Sequence, residues 1–240
     1  MKTMKKCIMM AGLLLCSGLT TNAQDKVEGN VNIDFVSQYI WRGQDLGNVS
    51  VQPTLGIGWK GLSLSAFGSV GLTSAADTKE FDLTLGYSKC GFNVGVTDYW
   101  FNSGLDPKCR YFMYEAHRTN HVYEGNIGYD FGFLSAQWYT NFGGNDGVNK
   151  DGKRAYSSYF ELTAPFKLAG CDWDATVGAV PFATDFYGAT GFAVTNVSLK
   201  ATKSFSIGNA IDISVFAGIS ANPCSQKAYL LVGFSLTPKL

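Results

Sequence analysis

Charge is scarce in this 240-residue chain: Asp, Glu, Lys and Arg make up 16% of it, against roughly a quarter in an ordinary soluble domain. No basic excess stands out either. Lys and Arg number 19 and so do Asp and Glu, so nothing is left over to neutralise a phosphate backbone, which argues against nucleic-acid binding. Six cysteines are too few for a disulfide-built scaffold, and with only two histidines a zinc centre is a remote prospect. Beyond the N-terminus no window reaches 18 uninterrupted apolar residues, which removes the transmembrane helix. What the chain does have is 46% hydrophobic residues, 14% aromatics and 28 glycines. Such a chain is either exported and soluble, or it enters lipid as a closed barrel, the one non-helical way to satisfy every backbone N–H and C=O there.

The first residues carry an export signal. Lys2, Lys5 and Lys6 precede the apolar run 7–19, and Thr21-Asn22-Ala23 offers the small residues a signal peptidase reads. Cleavage is expected after Ala23, leaving 24–240 as one barrel domain. Cys16 as a lipidation site is disfavoured by the bulky Leu15 before it. Removing 1–23 takes away three lysines and no acid, so the mature chain has 16 Lys and Arg against 19 Asp and Glu, a net charge of −3.

Period-two alternation then runs along the chain. Over 27–41, Val31, Ile33, Phe35, Tyr39 and Trp41 alternate with Asn30, Asn32, Asp34, Gln38 and Arg42. Similar segments follow at 49–59, 62–72, 80–88, 92–100, 121–129, 133–142, 156–166, 173–181, 192–201, 211–219 and 229–236. The even count of twelve fits an all-β, antiparallel up-and-down transmembrane barrel. Connections support it by alternating in length. Short turns at 60–61, 89–91, 130–132 and 167–170, with a looser one at 202–209, would face the periplasm; longer polar loops at 42–48, 73–79, 102–120, 143–154, 182–191 and 220–227 would face outward. Aromatics cluster toward the segment ends as interfacial girdles do: Tyr39, Trp41, Trp100, Tyr123, Trp138, Tyr156 and Tyr229 on one rim, Trp59, Tyr87, Tyr129, Phe166 and Trp173 on the other.

On the hydrophilic faces, acids outnumber bases. Arg42, Glu80, Asp82, Glu124 and Glu161 are the candidates for a lumen constriction. They read equally as a hydrophilic path with mild cation preference and as internal ion pairs closing the barrel, for example Arg42 with Glu80 or Asp82, because twelve strands lie between filled and open barrels. Asp98 breaks the scheme by falling on the lipid-facing parity.

Other motifs carry less. Gly56-Ile57-Gly58-Trp59-Lys60-Gly61 matches a dinucleotide fingerprint, but a second strand follows where a helix is needed. The Asn-, Asp- and Gly-rich stretch 145–152 lacks the oxygen ligands of a calcium loop and reads as a mobile surface loop. His121 falls on the lipid-facing parity near the outer rim, where a lipid-modifying enzyme would hold a base, but no Ser or Thr with an orienting acid is convincingly placed beside it; the plainer reading is an interfacial, solvent-reaching histidine. Cys90 with Cys171 and Cys109 with Cys224 are the pairings this topology permits, and free thiols are as expected as either. No metal or cofactor motif is present, and no catalytic residue is assigned.

Ser37-Gln38-Tyr39-Ile40-Trp41-Arg42-Gly43, with Gln52-Pro53 opening the next strand, resembles the start of the TorF-type porins, an outer-membrane barrel family. Glu80-Phe81-Asp82-Leu83-Thr84-Leu85-Gly86-Tyr87 and Val94-Gly95-Val96-Thr97-Asp98-Tyr99 are similar to that family's middle hairpin. The likeness is strongest over 31–100. It implies an outer-membrane barrel passing small hydrophilic solutes or ions, in contact with outer-membrane lipids and inserted by the barrel assembly machinery, and it brings no catalytic residues. The chain departs at its end, where Leu236-Thr237-Pro238-Lys239-Leu240 stands in place of the usual terminal aromatic. A closed scaffold barrel and a lipid-modifying enzyme are the alternatives.

Overall fold

The computed structural model describes residues 26–103 and 109–240, so the expected signal at 1–23 lies outside the described residues. In chain order the strands are β1 (Glu28–Val36), β2 (Tyr39–Trp41), β3 (Gln44–Gly47), β4 (Ser50–Trp59), β5 (Leu62–Gly71), β6 (Thr78–Lys89), β7 (Phe92–Ser103), β8 (His121–Asp130), β9 (Ser135–Gly144), β10 (Ser158–Leu168), β11 (Cys171–Val180), β12 (Ala193–Ile207), β13 (Ile211–Asn222) and β14 (Lys227–Pro238). Twelve of them, all but β2 and β3, close into one barrel. Each barrel strand from β4 on pairs antiparallel with its predecessor, and β1 closes the ring by pairing with both β4 and β14. The all-β transmembrane-type barrel expected from the alternation is therefore the fold.

Three of the tight turns have two residues with positive φ: Lys60 and Gly61, Cys90 and Gly91, Ala169 and Gly170. That is the two-residue hairpin geometry whose twist matches the flanking strands. These turns lie at one end of the barrel and the long connections at the other. β12 runs further than expected, to Ile207, so the looser turn shrinks to residues 208–210.

The wall is inside-out relative to a water-soluble barrel. Leu55, Ile57, Leu64, Leu85, Val96, Ile127 and Val177 stand exposed on its outer surface, while Asn32, Gln52, Ser65, Asn93, Thr97, Gln137 and Thr163 are buried on the inner one. Hydroxyl pairs across neighbouring strands satisfy one another, as with Thr84 and Thr97 at 3.0 Å and Thr163 and Thr176 at 2.9 Å. Each large apolar side chain left in water forgoes about 1.5–3 kcal/mol, so this outer surface is a lipid-facing belt. Trp59, Tyr129, Trp138, Tyr156 and Phe166 are among its exposed aromatics.

The first strand departs from expectation. It ends at Val36, not Trp41. Ser37 donates its N–H to Val232 O and accepts Val232 N–H on its hydroxyl, ending the pairing with β14. The chain then leaves the wall, and β2 and β3 form a separate hairpin inside the barrel. Tyr39 and Trp41 are thus not girdle aromatics: Tyr39 is buried and bonded to an inner-wall carboxylate, and Trp41 packs on Tyr99 and Tyr187.

Candidate functional site

The inner hairpin carries Arg42 at its turn, and four wall strands and one loop receive it. Arg42 Nη1 donates to Glu124 Oε2 at 2.6 Å and Nη2 to Glu124 Oε1 at 2.9 Å. This two-point pairing is the strong form of an Arg–carboxylate bond. Nη1 also donates to the Tyr187 hydroxyl at 2.7 Å, and the Tyr99 hydroxyl donates to Glu124 Oε1 at 2.9 Å. Three ring faces surround the guanidinium carbon, at 4.4 Å for Trp41, 4.0 Å for Tyr139 and 4.8 Å for Tyr159. The Arg42 and Glu124 side chains are 7% and 2% exposed.

Tyr187 reaches this site from a short 3-10 turn, Asp185–Tyr187, whose first residues are capped by Thr184 accepting from Phe186 N–H. Burial, against the opposing pull of the Arg42 charge, holds the Tyr187 hydroxyl protonated well above the ordinary tyrosine range. It therefore meets Arg42 as a neutral acceptor. Tyr139, Tyr159, Tyr187, Val180 and Ala189 form the buried apolar cluster against which Trp41 packs.

All five constriction candidates lie on this buried inner surface. Arg42 pairs with Glu124, correcting the expected pairing with Glu80 or Asp82. Glu161 accepts from the Tyr159 hydroxyl at 2.8 Å, beside the cage. Glu80 accepts from the Tyr39 hydroxyl at 2.7 Å, and Asp82, 1% exposed, lies against the Glu80 carboxyl group and the Trp100 backbone. The tyrosines were missed at the sequence level. Tyr99, Tyr139 and Tyr159 each carry an aromatic on the hydrophilic parity of their strand, which is the signal that marks them.

Asp98 and His121 resolve together. Both keep the outward parity, and His121 Nδ1 lies 2.6 Å from Asp98 Oδ1 while Nε2 lies 2.6 Å from Tyr111 O. His121 is fully buried, not solvent-reaching, because Tyr111 and Tyr114 from the loop before β8 cover its ring. Tyr111 in turn packs on the outward Phe81 and Trp100. A carbonyl only accepts, so Nε2 carries a proton and both ring nitrogens are committed. Thr119 Oγ1 accepts from the His121 backbone N–H and does not meet the ring. This geometry equips His121 to anchor the loop, and it argues against a catalytic base.

His121→Ala should orphan Asp98 and the Tyr111 carbonyl, costing about 1–3 kcal/mol of loop docking. The expected result is tryptic cleavage after Arg110 and Arg118 that is about tenfold faster than in the wild type, with the barrel itself intact. An unchanged cleavage rate would mean that the aromatic contacts alone hold the loop.

The 145–152 stretch is tied down by its own polar groups. Asp146 accepts from Asn141 and Ser157, Asn149 from the N–H groups of Asp151 and Lys153, and Asp185 from Val148 N–H. Among the described residues no group of three His, Cys, Asp or Glu side chains converges as a metal centre. Cys90, Cys171 and Cys224 are free thiols, and Cys109 donates its Sγ–H to Phe101 O at 3.2 Å.

No family model and no curated protein matches the chain. Solved structures do. The NanC porin is 9% identical with a TM-score of 0.49, over 89% of this chain and 100% of its own. An outer membrane channel from Pseudomonas putida F1 is 11% identical with a TM-score of 0.43, over 92% and 99%. Salmonella typhi OmpF in complex with daunomycin is 10% identical with a TM-score of 0.37, over 89% and 98%. Likenesses at this level add nothing to the fold already described, and the functional reading rests on the geometry.

Proposed function

We propose that the protein is an outer-membrane channel for small hydrophilic solutes or ions, with passage controlled by the β2–β3 hairpin. The carrying observation is that the hairpin lies inside a hydrophilic barrel without belonging to its wall. Away from the hairpin the inner wall is built of small polar residues such as Thr54, Ser63, Thr84 and Ser198, which are only half-buried and so face a hydrated space. The short-turn end would face the periplasm and the long loops the exterior, as in bacterial single-chain barrels. The Ser37–Gly43 motif that resembles the TorF-type porins falls on the exit from β1 and on the hairpin itself, which fits a family role for that hairpin. Outer-membrane lipids would contact the apolar belt, and the assembly machinery would insert the chain.

One observation favours a second reading, a closed scaffold barrel: the Arg42–Glu124 pair is buried and well made. Purified protein in a planar bilayer separates the two. A channel gives discrete current steps, with a reversal potential in a salt gradient displaced toward the cation by the excess of inner carboxylates. Silence from the wild type and from hairpin-released variants alike would establish the scaffold.

A further inference from the structure

The groups that hold Arg42 belong mostly to the wall. Glu124 on β8, Tyr139 on β9 and Tyr159 on β10 are set by strand ladders that run whether or not the hairpin is seated. Together they offer a carboxylate for two-point pairing and aromatic faces for a cation, the combination that selects a guanidinium or ammonium group. The occupant is less firmly built than the cage. Arg42 itself sits at φ 51, a left-handed conformation that costs a non-glycine residue about 1 kcal/mol or more.

Acidic groups in this part of the lumen also outnumber Arg42. Glu161 lies within its electrostatic reach, bonded to the Tyr159 hydroxyl. Glu80 and Asp82 lie beside Tyr39 at the foot of the same hairpin. None of these carboxyl groups is more than 8% exposed, and a carboxyl group so buried ionises at least cost when a cation arrives beside it.

We propose that this cage is a cation-recognition site in which Arg42 stands as an internal occupant, and that the solutes admitted carry a guanidinium or ammonium group that takes its place. The inference rests on the channel reading above. It names the solute class by chemistry: small hydrophilic cations, with a planar guanidinium matching Glu124 best.

L-arginine and L-citrulline test it, since they share a shape and differ in guanidinium against urea. Into proteoliposomes of the wild-type protein, arginine should enter about tenfold faster than citrulline, and Glu124→Gln and Glu161→Gln should each narrow that ratio. Equal entry of the two amino acids overturns the proposal. Entry of neither defeats the channel reading, and the cage is then decided by binding. In detergent, Arg42→Ala should show a saturable change in tryptophan fluorescence on titration with agmatine, because a guanidinium bound to Glu124 restores the charge that seats the hairpin and returns Trp41 to Tyr99 and Tyr187, and Arg42→Ala/Glu124→Gln should not. Arg42→Gln replaces Arg42→Ala if the latter fails to fold. A folded variant with no saturable response, or one unaffected by Glu124→Gln, overturns the proposal.

Discussion

Arg42→Ala is expected to raise the single-channel conductance several-fold over the wild-type barrel. The pair it breaks is closed to water on both sides, at 7% and 2% exposure. Removing one member of such a pair leaves the other as an uncompensated buried charge, a loss of about 3–5 kcal/mol. Here that loss falls on the seated state of the hairpin, because Glu124 can be hydrated once the hairpin withdraws. At about 1.4 kcal/mol per tenfold, the seated-to-withdrawn ratio drops by about two to three and a half orders of magnitude. Glu124→Ala should act in the same direction, leaving Arg42 with Tyr187 and the rings alone. The double variant has no orphaned charge, so its conductance should return toward that of the wild type, a non-additivity expected of contacting residues. Conductance and selectivity of Arg42→Ala equal to the wild type would show that the pair constricts nothing.

That the chain forms a barrel was legible because lipid outside and water inside impose opposite polarities on alternate residues. The same periodicity cannot tell where a chain leaves the wall. Val31, Ile33 and Phe35 continue in step into Tyr39 and Trp41, yet the first three serve the wall and the last two pack inside the lumen. An aromatic buried among other aromatics and one facing lipid leave the same mark. Inward carboxylates were equally legible by parity, and Glu80, Asp82, Glu124 and Glu161 all point in. Their partners were not. Arg42 meets Glu124, 82 positions away, across a lumen whose facing strands are fixed by closure and not by neighbouring turns. Asp98 and His121 are a middle case: the β7–β8 register places Trp100 opposite His121 and Asp98 opposite Tyr123, so two polar residues on the wrong parity of adjacent strands are diagonal neighbours. Each anomaly explains the other.

Gly43→Ala should match or exceed the effect of Arg42→Ala while leaving every charge in place. Gly43 follows Arg42 at the hairpin tip with φ 77, and an added Cβ would lie 1.8 Å from the Thr195 carbonyl oxygen and 2.9 Å from its carbon. Those atoms are backbone of β12, between Val194 and Asn196, which pair with Ala179 and Gly178 of β11, so the wall cannot give way as a flexible side chain would. The left-handed φ adds about 1–2 kcal/mol of its own for a residue with a Cβ. Withdrawal also breaks the 3.0 Å bond from the Asn222 side-chain amide to Gly43 O, removing the anchor to β13. The hairpin tip therefore has no seated position in the variant. Electrophoretic mobility of the unheated barrel should be unaltered, because no wall pairing is touched, while the current steps should enlarge. Selectivity separates the two variants: Gly43→Ala retains Arg42 on a released hairpin, so its reversal potential should shift less toward the cation than that of Arg42→Ala. Wild-type conductance from Gly43→Ala would mean that the contact with Thr195 is not what seats the hairpin, and that control of passage lies elsewhere in the lumen.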